Sequence, residues 1–330
     1  MDRAKLEIVI THWNEDWAVC SKMFKMLDVQ RGMGSAGREA RITWVQDGRT
    51  GALDTARIMK RYPFVTGCVE IPHGGISAAR NAGLDAAEAE FVMFCDCDDM
   101  FYSCDALRTI LDGITDAAGR ADLIRGPMII EGRTKDGVWV GTPEENDWIF
   151  IHGKAWRTDW LREKRIRFDE RIDYSEDSLF CATAALEIDP GRIGKLPRPV
   201  YMWCLRDGSC TADEKLQARN REDLAKHRCY MPGICMDRGK PDEARTHALR
   251  GIYDSYFEYT DGTIPPAELD KLEWIIKAGL IIPWGKETEK VSAADRAELW
   301  RVSRESAARK KHKAPTVSFQ AWAEHMKTKA

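Results

Sequence analysis

The first hundred residues alternate short apolar runs with segments of helical periodicity, and this alternation restricts the fold more than any other feature of the chain. The apolar runs predict four strands, Leu6–Thr11, Arg41–Gln46, Val65–Ile71 and Glu90–Phe94. Helices are predicted between them, over Asp16–Leu27, Ala52–Arg61 and Ile76–Ala87. Strands that alternate with helices form βαβ units with right-handed crossovers and largely parallel sheets. The sequence therefore predicts an α/β fold with a mostly parallel, Rossmann-like sheet flanked by helices.

The order of elements changes after Phe101. Leu123–Ile130 and Val138–Val140 are apolar stretches that flank a hairpin-like turn. Helices and one more apolar stretch are predicted at Ala106–Ala118, Trp160–Arg165, Asp177–Leu186 and Pro199–Arg206. Residues 211–330 have mostly helical periodicity, with expected breaks at Pro232, Pro241, Pro265–Pro266 and Pro283. We therefore expect one α/β domain over residues 1–210 and a mostly helical C-terminal region over residues 211–330.

Charge is distributed unevenly along the chain. The formal net charge is -3, which argues against a dedicated nucleic-acid binder. Residues 1–210 carry 28 Lys and Arg against 34 Asp and Glu, whereas residues 211–330 carry 22 against 19. An acidic first part suits a cation site, and the basic tail is compatible with an anionic acceptor or with peripheral contact to a membrane surface. A solvated helical face is the simpler interpretation of the tail.

Ten cysteines without a regular spacing, and no run of ~18 apolar residues, indicate a reducing compartment and no transmembrane segment. The charged N-terminal residues do not match a secretory signal peptide. We therefore expect a cytoplasmic location.

An aspartate cluster follows the fourth predicted strand, in the sequence FVMFCDCDDMF. Asp96, Asp98 and Asp99 place three carboxylates within four positions, where they repel one another unless a positive charge lies among them. Hard oxygen ligands at a strand end favour a divalent cation such as Mg²⁺ or Mn²⁺. The alternatives are an acidic helix N-terminus and a calcium loop, although the loop's sixth-position glycine is absent.

Three further segments carry polar groups suited to a ligand. GGISAARNAGL places glycines before a helix, where backbone amides attract phosphate, and Arg80 and Asn81 add donors. An ordinary amphipathic helix explains this segment equally well. In YSEDSLF, the paired carboxylates of Glu176 and Asp177 can divide the work of a general base, although helix capping is the simpler interpretation. Arg206, in the loop after an aromatic strand, could contact a phosphate.

Ligands of parallel α/β sheets bind beyond the carboxyl ends of the strands. Thr11, Asp47, His73 and Asp96 all lie at or just after the end of a predicted strand. We therefore expect these four residues to converge on one edge of the sheet.

Taken in order, these motifs resemble the family 2 glycosyltransferases, which are inverting enzymes of the GT-A fold with an Asp-x-Asp metal motif. The family often has two aspartates after the second strand, and only Asp47 is present here. The resemblance covers about residues 5–210. The matching segments are Ile8–Asn14, Gln46–Gly48, Gly75–Gly83, Asp96–Asp99, Gly153–Arg157, Arg167–Phe168, Glu176–Asp177 and Tyr201–Ser209.

The resemblance implies a nucleotide-sugar donor, most simply a UDP-sugar. Asp47 and Thr11 would then line the pocket for the base, and Arg80 would reach the base or the diphosphate. Asn81 and Arg206 would be further donor-binding groups.

The resemblance also implies the residues of the reaction. Asp96 and Asp98 would hold Mn²⁺ or Mg²⁺, with Asp99 nearby, and the cation would neutralise the departing diphosphate. Asp177 would take the proton of the acceptor hydroxyl, with Glu176 in support. Many relatives add a histidine from the loop after the last strand, but no histidine occurs between Gly153 and Lys226.

Other functions remain open at this stage. A nucleotidyltransferase has a similar sheet, but its basic, glycine-rich segment after the first strand is replaced here by THWNED. A non-catalytic module with a transferase fold would have no need of Asp96–Asp99 and Glu176–Asp177. A surface polysaccharide or another glycan is the expected acceptor. A modified base of phage DNA is the alternative that the basic tail favours. The sequence does not name the sugar, and residues 211–330 would lie on the acceptor side or at an oligomer interface.

Overall fold

The computed structural model describes residues 3–31, 33, 39–49, 53–133, 139–144, 148–205 and 216–328. The chain forms two compact units, Met1–Ser209 and Cys210–Ala330. The first unit is α/β and the second is helical. In chain order the strands are β1 Leu6–His12, β2 Ala40–Asp47, β3 Val65–Ile71, β4 Phe91–Asp96, β5 Met100–Phe101, β6 Leu123–Arg125, β7 Met128–Arg133, β8 Trp139–Glu144, β9 Lys154–Arg157, β10 Ile193–Lys195 and β11 Tyr201–Trp203.

The helices alternate with the strands of the first unit and make up the second. They are α1 Trp17–Asp28, α2 Thr55–Arg61, α3 Ile76–Ala86, α4 Ala106–Ala117, α5 Thr158–Glu163, α6 Glu176–Ala185, α7 Gln217–Asp237, α8 Pro241–Tyr259, α9 Pro266–Ile276, α10 Ile282–Trp284, α11 Ala293–Arg309 and α12 Phe319–Thr328. Helix α1 begins where the sequence indicates, because the Asp16 carboxylate accepts a hydrogen bond from the Val19 amide.

A seven-stranded sheet with the order β10-β6-β9-β4-β1-β2-β3 forms the centre of the first unit. Strands β4, β1, β2 and β3 are parallel, which confirms the α/β prediction and brings their carboxyl ends to one edge. Strand β9 was not predicted. It lies antiparallel between β4 and β6, with Trp156 opposite Val92 on one side and Leu123 on the other. A four-residue strand with charged ends has no periodicity of its own, so only long-range pairing defines it.

The apolar stretch Leu123–Ile130 does not form a single strand. It divides into β6, in the large sheet, and β7, in a four-stranded sheet of order β5-β11-β7-β8. Strands β7 and β8 are antiparallel, as the hairpin prediction requires, and the turn itself lies outside the described residues. In the smaller sheet Tyr201 of β11 pairs with Phe101 of β5, which carries the Tyr201 ring next to the end of β4.

Apolar side chains alternate across the large sheet and fill a core on each face. On one face Leu6, Ile8 and Ile10 of β1 pack with Phe24 of α1 and Trp44 of β2. On the opposite face, residues of β1, α3, β4, β9 and α6 pack together, including Val9, Leu84, Phe94, Trp156 and Phe180. The alternation of successive side chains between the faces is the period-two pattern of a strand covered on both sides.

The second unit is mostly helical, as predicted, and has its own core. Helix α8 contributes Ile252, Tyr256 and Phe257 to this core, with Leu272 from α9 and Trp322 from α12. No helix in the described part of the chain is long and apolar enough to cross a membrane.

Proline positions in this unit follow two patterns. Pro241 and Pro266 begin helices, where a missing amide proton costs nothing. The predicted break at Pro232 was wrong, because Pro232 lies buried inside α7. One lost hydrogen bond and a ring clash cost a few kcal/mol, which tertiary packing of a 21-residue helix can offset.

The contact between α3 and the sheet depends on a glycine. A Cβ atom on Gly83 would lie 2.2 Å from Cγ1 of Val9 and 3.2 Å from Cγ2 of Val45. We expect Gly83→Ala to lower the free energy of unfolding by roughly 1–3 kcal/mol, because overpacking shifts backbone or side chains. Urea unfolding followed by circular dichroism measures this effect. The same substitution at Gly233 of α7, where a Cβ meets nothing within 4 Å, should be neutral or stabilising. Equal effects at both positions would contradict the packing argument.

Candidate functional site

The strand-end residues meet in two hydrogen-bonded pairs at the carboxyl edge of the large sheet. Thr11 lies beside Asp96, with its Oγ1 3.5 Å from Oδ1 of Asp96. Asp47 contacts His73, with Oδ2 of the carboxylate 2.9 Å from Nδ1 of the ring. The predicted convergence on one sheet edge is therefore present within each of these pairs. Parallel pairing of β1 with β4 produces the first pair, and parallel pairing of β2 with β3 produces the second.

Asp47 holds the glycine-rich loop that leads into α3. Its Oδ1 accepts a hydrogen bond of 2.7 Å from the Gly74 amide, and its Oδ2 accepts one of 3.0 Å from the Gly75 amide. Gly75 has φ +87°, and a Cβ there would lie 2.2 Å from Oδ1 of Asp173. These amides were predicted to approach a phosphate, but in this structure the Asp47 carboxylate is their partner. Asp47 thus fixes the loop, and its ring partner His73 stacks on Trp13 at 4.9 Å.

Arg80 lies buried in α3 and joins two acidic groups from distant parts of the chain. Its Nη2 donates to Oδ1 of Asp96 at 2.9 Å, and its Nη1 donates to Oε1 of Glu176 at 2.6 Å. The guanidinium also lies over the ring of Phe168, 5.3 Å from its centroid. A charge that is 3% exposed is stable only when it is paired, and Arg80 has two such partners.

Asn81 contacts protein groups instead of an open cleft. Its Nδ2 donates to the Phe168 carbonyl at 3.0 Å and to Glu170 at 2.8 Å, while its Oδ1 accepts from the Phe168 amide at 3.0 Å. These reciprocal bonds anchor the segment before Glu176–Asp177. Its predicted donor-binding role stays a prediction.

Asp96 ends β4 and carries its charge between two basic groups. Burial opposes ionisation, but the charges of Arg80 and His152 outweigh it and hold the pKa of Asp96 well below its usual range. Asp96 is thus a carboxylate at neutral pH.

Asp99 is the most buried carboxylate of the predicted metal motif, 1% exposed. The Tyr201 hydroxyl donates to its Oδ2 at 2.7 Å, and the Cys204 amide donates to its Oδ1 at 2.8 Å. Burial, together with the charges of Asp96 and Asp98, nevertheless raises the pKa of Asp99 well above its usual value. A second carboxylate beside Asp96 is unfavourable in the protein alone, and a bound cation would reverse that effect.

His152 completes a cluster that the sequence did not predict. Its Nε2 lies 3.1 Å from Oδ2 of Asp96, and its ring stacks on Tyr201 with centroids 4.7 Å apart. One ligand atom from each of Asp96, Asp99 and His152 lies within 4.8 Å of the others. His152 belongs to the segment before β9, whereas the family resemblance implies a histidine in the loop after the last strand. The one signal in the sequence is that His152 directly precedes Gly153–Arg157, a segment that resembles the family.

The donor set fits a divalent cation. Carboxylate oxygens and imidazole nitrogens are both ligands that divalent cations take in proteins, and this cluster offers one atom from each of its three residues. Tyr201 orients one carboxylate and stacks on the imidazole, as groups around a metal site do. Asp98 is half-buried and is not part of the described cluster, so its assignment as a ligand stays a prediction. Arg206 lies outside the described residues.

Glu176 and Asp177 begin α6 and differ in their surroundings. Burial, reinforced by the charge of Asp177, raises the pKa of Glu176 from 4.5 to about 8, although Arg80 works in the opposite direction. Asp177 is half-buried and accepts the Ser178 amide at 2.7 Å. One carboxyl group is thus held in the protein, and the other is partly open to solvent.

Comparison with known proteins supports the fold. No family model and no curated protein sequence matches the chain. Among solved structures, S. aureus TarS 1-349 is similar with a TM-score of 0.64 and 16% identity, over 93% of this chain and 92% of that chain. Its complex with UDP-GlcNAc gives 0.68 and 17% over the same shares. The S. aureus TarS structure gives 0.60 and 17%, over 92% of this chain and 55% of that one. The chain therefore has the α/β fold of the TarS glycosyltransferase.

Ionisation of Glu176 should make stability depend on pH. Its folded pKa of about 8 lies above the unfolded value of 4.5, so the stabilising contribution is complete below about pH 4.5 and is lost as pH rises through about 8. We expect the wild-type free energy of unfolding to fall over this range relative to Glu176→Gln, which cannot ionise. Urea unfolding at a series of pH values measures the two slopes. Glu163→Gln, which removes an exposed carboxylate, is the control, and identical slopes in all three proteins would contradict the assignment.

Removal of the imidazole should weaken cation binding. We expect His152→Ala to raise the dissociation constant for Mn²⁺ by about 10- to 100-fold, as loss of a ligand or of its support does in other sites. Electron paramagnetic resonance of free Mn²⁺ in a titration measures it. His325→Ala, which removes a histidine paired with Glu273 in the second unit, should leave Mn²⁺ binding unchanged. Equal Mn²⁺ affinity of His152→Ala and wild type would exclude His152 as a ligand.

Proposed function

We propose that the protein is a metal-dependent, inverting glycosyltransferase of family 2 type, which moves a hexose from a UDP-sugar to an acceptor hydroxyl. The observation that supports this most directly is the Asp96–Asp99–His152 cluster at the carboxyl edge of the sheet. The similar TarS structures were determined with UDP and with UDP-GlcNAc. In folds of this kind nucleotides bind beyond the carboxyl ends of the strands. A cation held at this edge would therefore lie beside a nucleoside diphosphate.

Donor binding is assigned to the same edge. Thr11 lies next to Asp96, so it can line the wall between the base and the diphosphate. Asp47 contributes by fixing the Gly74–Gly75 loop, and it presents the Trp13–His73 stack beside the base pocket. Arg80 positions Asp96 and Glu176 instead of reaching freely into the cleft. These assignments keep the three predicted residues and revise how Asp47 and Arg80 act.

The chemistry divides between the cation site and α6. When bound, Mn²⁺ or Mg²⁺ neutralises the charge that develops on the departing diphosphate. Asp177 accepts the proton of the acceptor hydroxyl while the hydroxyl oxygen attacks the anomeric carbon and the nucleoside diphosphate leaves. A single displacement of this kind inverts the configuration of the anomeric carbon. Glu176, held by Arg80, keeps the start of α6 in place. Asp177 suits the role of base because it is half-buried, whereas Glu176 is buried and bonded to Arg80.

The acceptor is proposed from the resemblance, the location from the cysteine pattern, and the role of the helical unit from its position in the chain. A surface polysaccharide or another glycan is the proposed acceptor, the proposed location is the cytoplasm, and the helical unit is assigned to the acceptor side or to oligomerisation.

The donor can be found by thermal shift with a panel of UDP-, GDP- and other sugar nucleotides, with and without Mn²⁺. A ligand at a hundredfold excess over its dissociation constant stabilises the folded state by ~2.7 kcal/mol. We expect a Mn²⁺-dependent shift with one or a few UDP-sugars and slow hydrolysis of those donors. If no nucleotide sugar shifts the unfolding temperature while Mn²⁺ binds, the transferase function fails and a non-catalytic module becomes the better description.

The base can be tested separately from the donor site. We expect Asp177→Asn to lower the rate of transfer or hydrolysis by about 10²–10⁴-fold, because a positioned general base contributes that much. Donor affinity should stay within about twofold, since Asp177 is assigned no ground-state contact with the nucleotide. Asp116→Asn, an exposed aspartate of α4, controls for the loss of a charge. An equal loss of donor affinity and rate would place Asp177 in binding instead of proton transfer.

A further inference from the structure

A cavity lies on the face of the large sheet that α1 and α2 cover. It has a volume of about 460 Å³, and it is lined by Trp17, Leu53, Asp54, Arg57, Ile58, Arg61 and Tyr62. None of these residues belongs to the cation cluster or to the Glu176–Asp177 pair. The volume lies within the usual range of small-molecule sites, ~300–1,000 Å³.

Two arginines give this cavity its charge. Arg57 and Arg61 are one helical turn apart on α2, so their side chains share a face. Both residues are exposed, and neither forms an ion pair with any residue that the structure describes. Asp54 is the one acidic group among the lining residues, and its Oδ1 already accepts the Arg57 amide at 2.9 Å. Two guanidinium groups against one engaged carboxylate favour an anion.

Aromatic rings form the other part of the lining. Trp17 is 41% exposed, and it stacks on Phe24 with centroids 5.5 Å apart. Tyr62 is buried, packs against Phe24 at 5.0 Å and lies under the Arg61 guanidinium at 5.3 Å. Packing thus fixes both rings, although Trp17 retains a large exposed surface. An exposed indole on a rigid support is suited to the apolar C–H face of a sugar ring.

We propose that this cavity binds a phosphorylated sugar. The guanidinium groups of Arg57 and Arg61 hold the phosphate, which matches the planar donors of arginine, and Trp17 packs on the ring. A free phosphate would use only the arginines, and a neutral sugar would use only the indole. The site is therefore expected to prefer a ligand that carries both groups. It is separate from the proposed transfer reaction, since it needs neither the cation nor the donor.

The experiment uses the full chain without donor or Mn²⁺ and titrates it by calorimetry with glucose 6-phosphate, glucose and inorganic phosphate. We expect glucose 6-phosphate to bind at least about tenfold more tightly than either of the other two, a difference of ~1.4 kcal/mol. The double variant R57Q/R61Q should lose at least about tenfold in affinity for glucose 6-phosphate. Trp17→Ala should remove the preference of glucose 6-phosphate over phosphate.

Lys60→Gln is the matched control, because Lys60 is an exposed cation of the same helix that does not line the cavity. It should bind glucose 6-phosphate as wild type does. The proposal is overturned if Lys60→Gln and the arginine variants lose affinity equally, or if wild type shows no saturable binding of glucose 6-phosphate. It is also overturned if phosphate alone binds as tightly. Unchanged donor hydrolysis in R57Q/R61Q separates a failure here from a failure of the transferase function.

Discussion

The buried guanidinium of Arg80 is the group on which the rest of the site depends. It contacts Asp96 at the end of β4 and Glu176 at the start of α6, and these carboxylates are 80 residues apart in the chain. At neutral pH Asp96 carries the charge that pairs with Arg80, whereas Glu176, with its pKa of about 8, is mostly protonated and accepts a hydrogen bond from the guanidinium. Removal of one partner from a buried ion pair costs about 3–5 kcal/mol, because a charge is left unpaired. Arg80 therefore links the metal motif to the start of α6, where the proposed base Asp177 lies, although these segments are far apart in the chain.

The same balance of charge explains the remaining acidic groups at the sheet edge. Asp47 disperses its charge over the amides of Gly74 and Gly75 and over His73, so the protein itself satisfies it. Asp99 has two donors as well, yet its pKa is still raised, because burial and the neighbouring aspartates oppose its charge. The difference singles out Asp99, with Asp96 and His152, as the place where a divalent cation would add most. The sheet edge thus carries one carboxylate, Asp47, whose hydrogen-bond partners all come from the protein. It also carries the Asp96, Asp99 and His152 cluster, which is suited to an added positive charge.

The sheet edge was predicted from short-range patterns in the sequence. Such patterns predict elements that depend on neighbouring residues in the chain. The four apolar runs became β1 to β4, and the aspartates after β4 lie at the carboxyl edge as the parallel topology requires. The predicted start of α1 at Asp16 agrees with the Asp16 cap, which is also a local feature, whereas α2 begins at Thr55, after its Asp54 cap, and the prediction began at Ala52. By contrast β9 has no pattern of its own, and the antiparallel pairing that inserts it between β4 and β6 depends on neighbours from other parts of the chain. The stretch from Leu123 to Ile130 is a similar case, because its first residues pair in the large sheet and its last residues in the smaller sheet. A local pattern cannot show this division.

By itself, the sequence determined the α/β class, the edge at which polar groups gather and the aspartates and acidic pair that mark it. Periodicity and strand-end position depend on a few neighbouring residues, so they can be read without coordinates. Only the tertiary structure decided which side chains contact one another. In the folded chain His152 contacts Asp96, and the Arg80 guanidinium contacts Asp96 and Glu176. Asn81 is hydrogen-bonded to Phe168, and Trp17 lines one cavity with the arginines of α2. Such partners come from chain segments that are distant in sequence, and the packing of two sheet faces, not local propensity, brings them within hydrogen-bond distance.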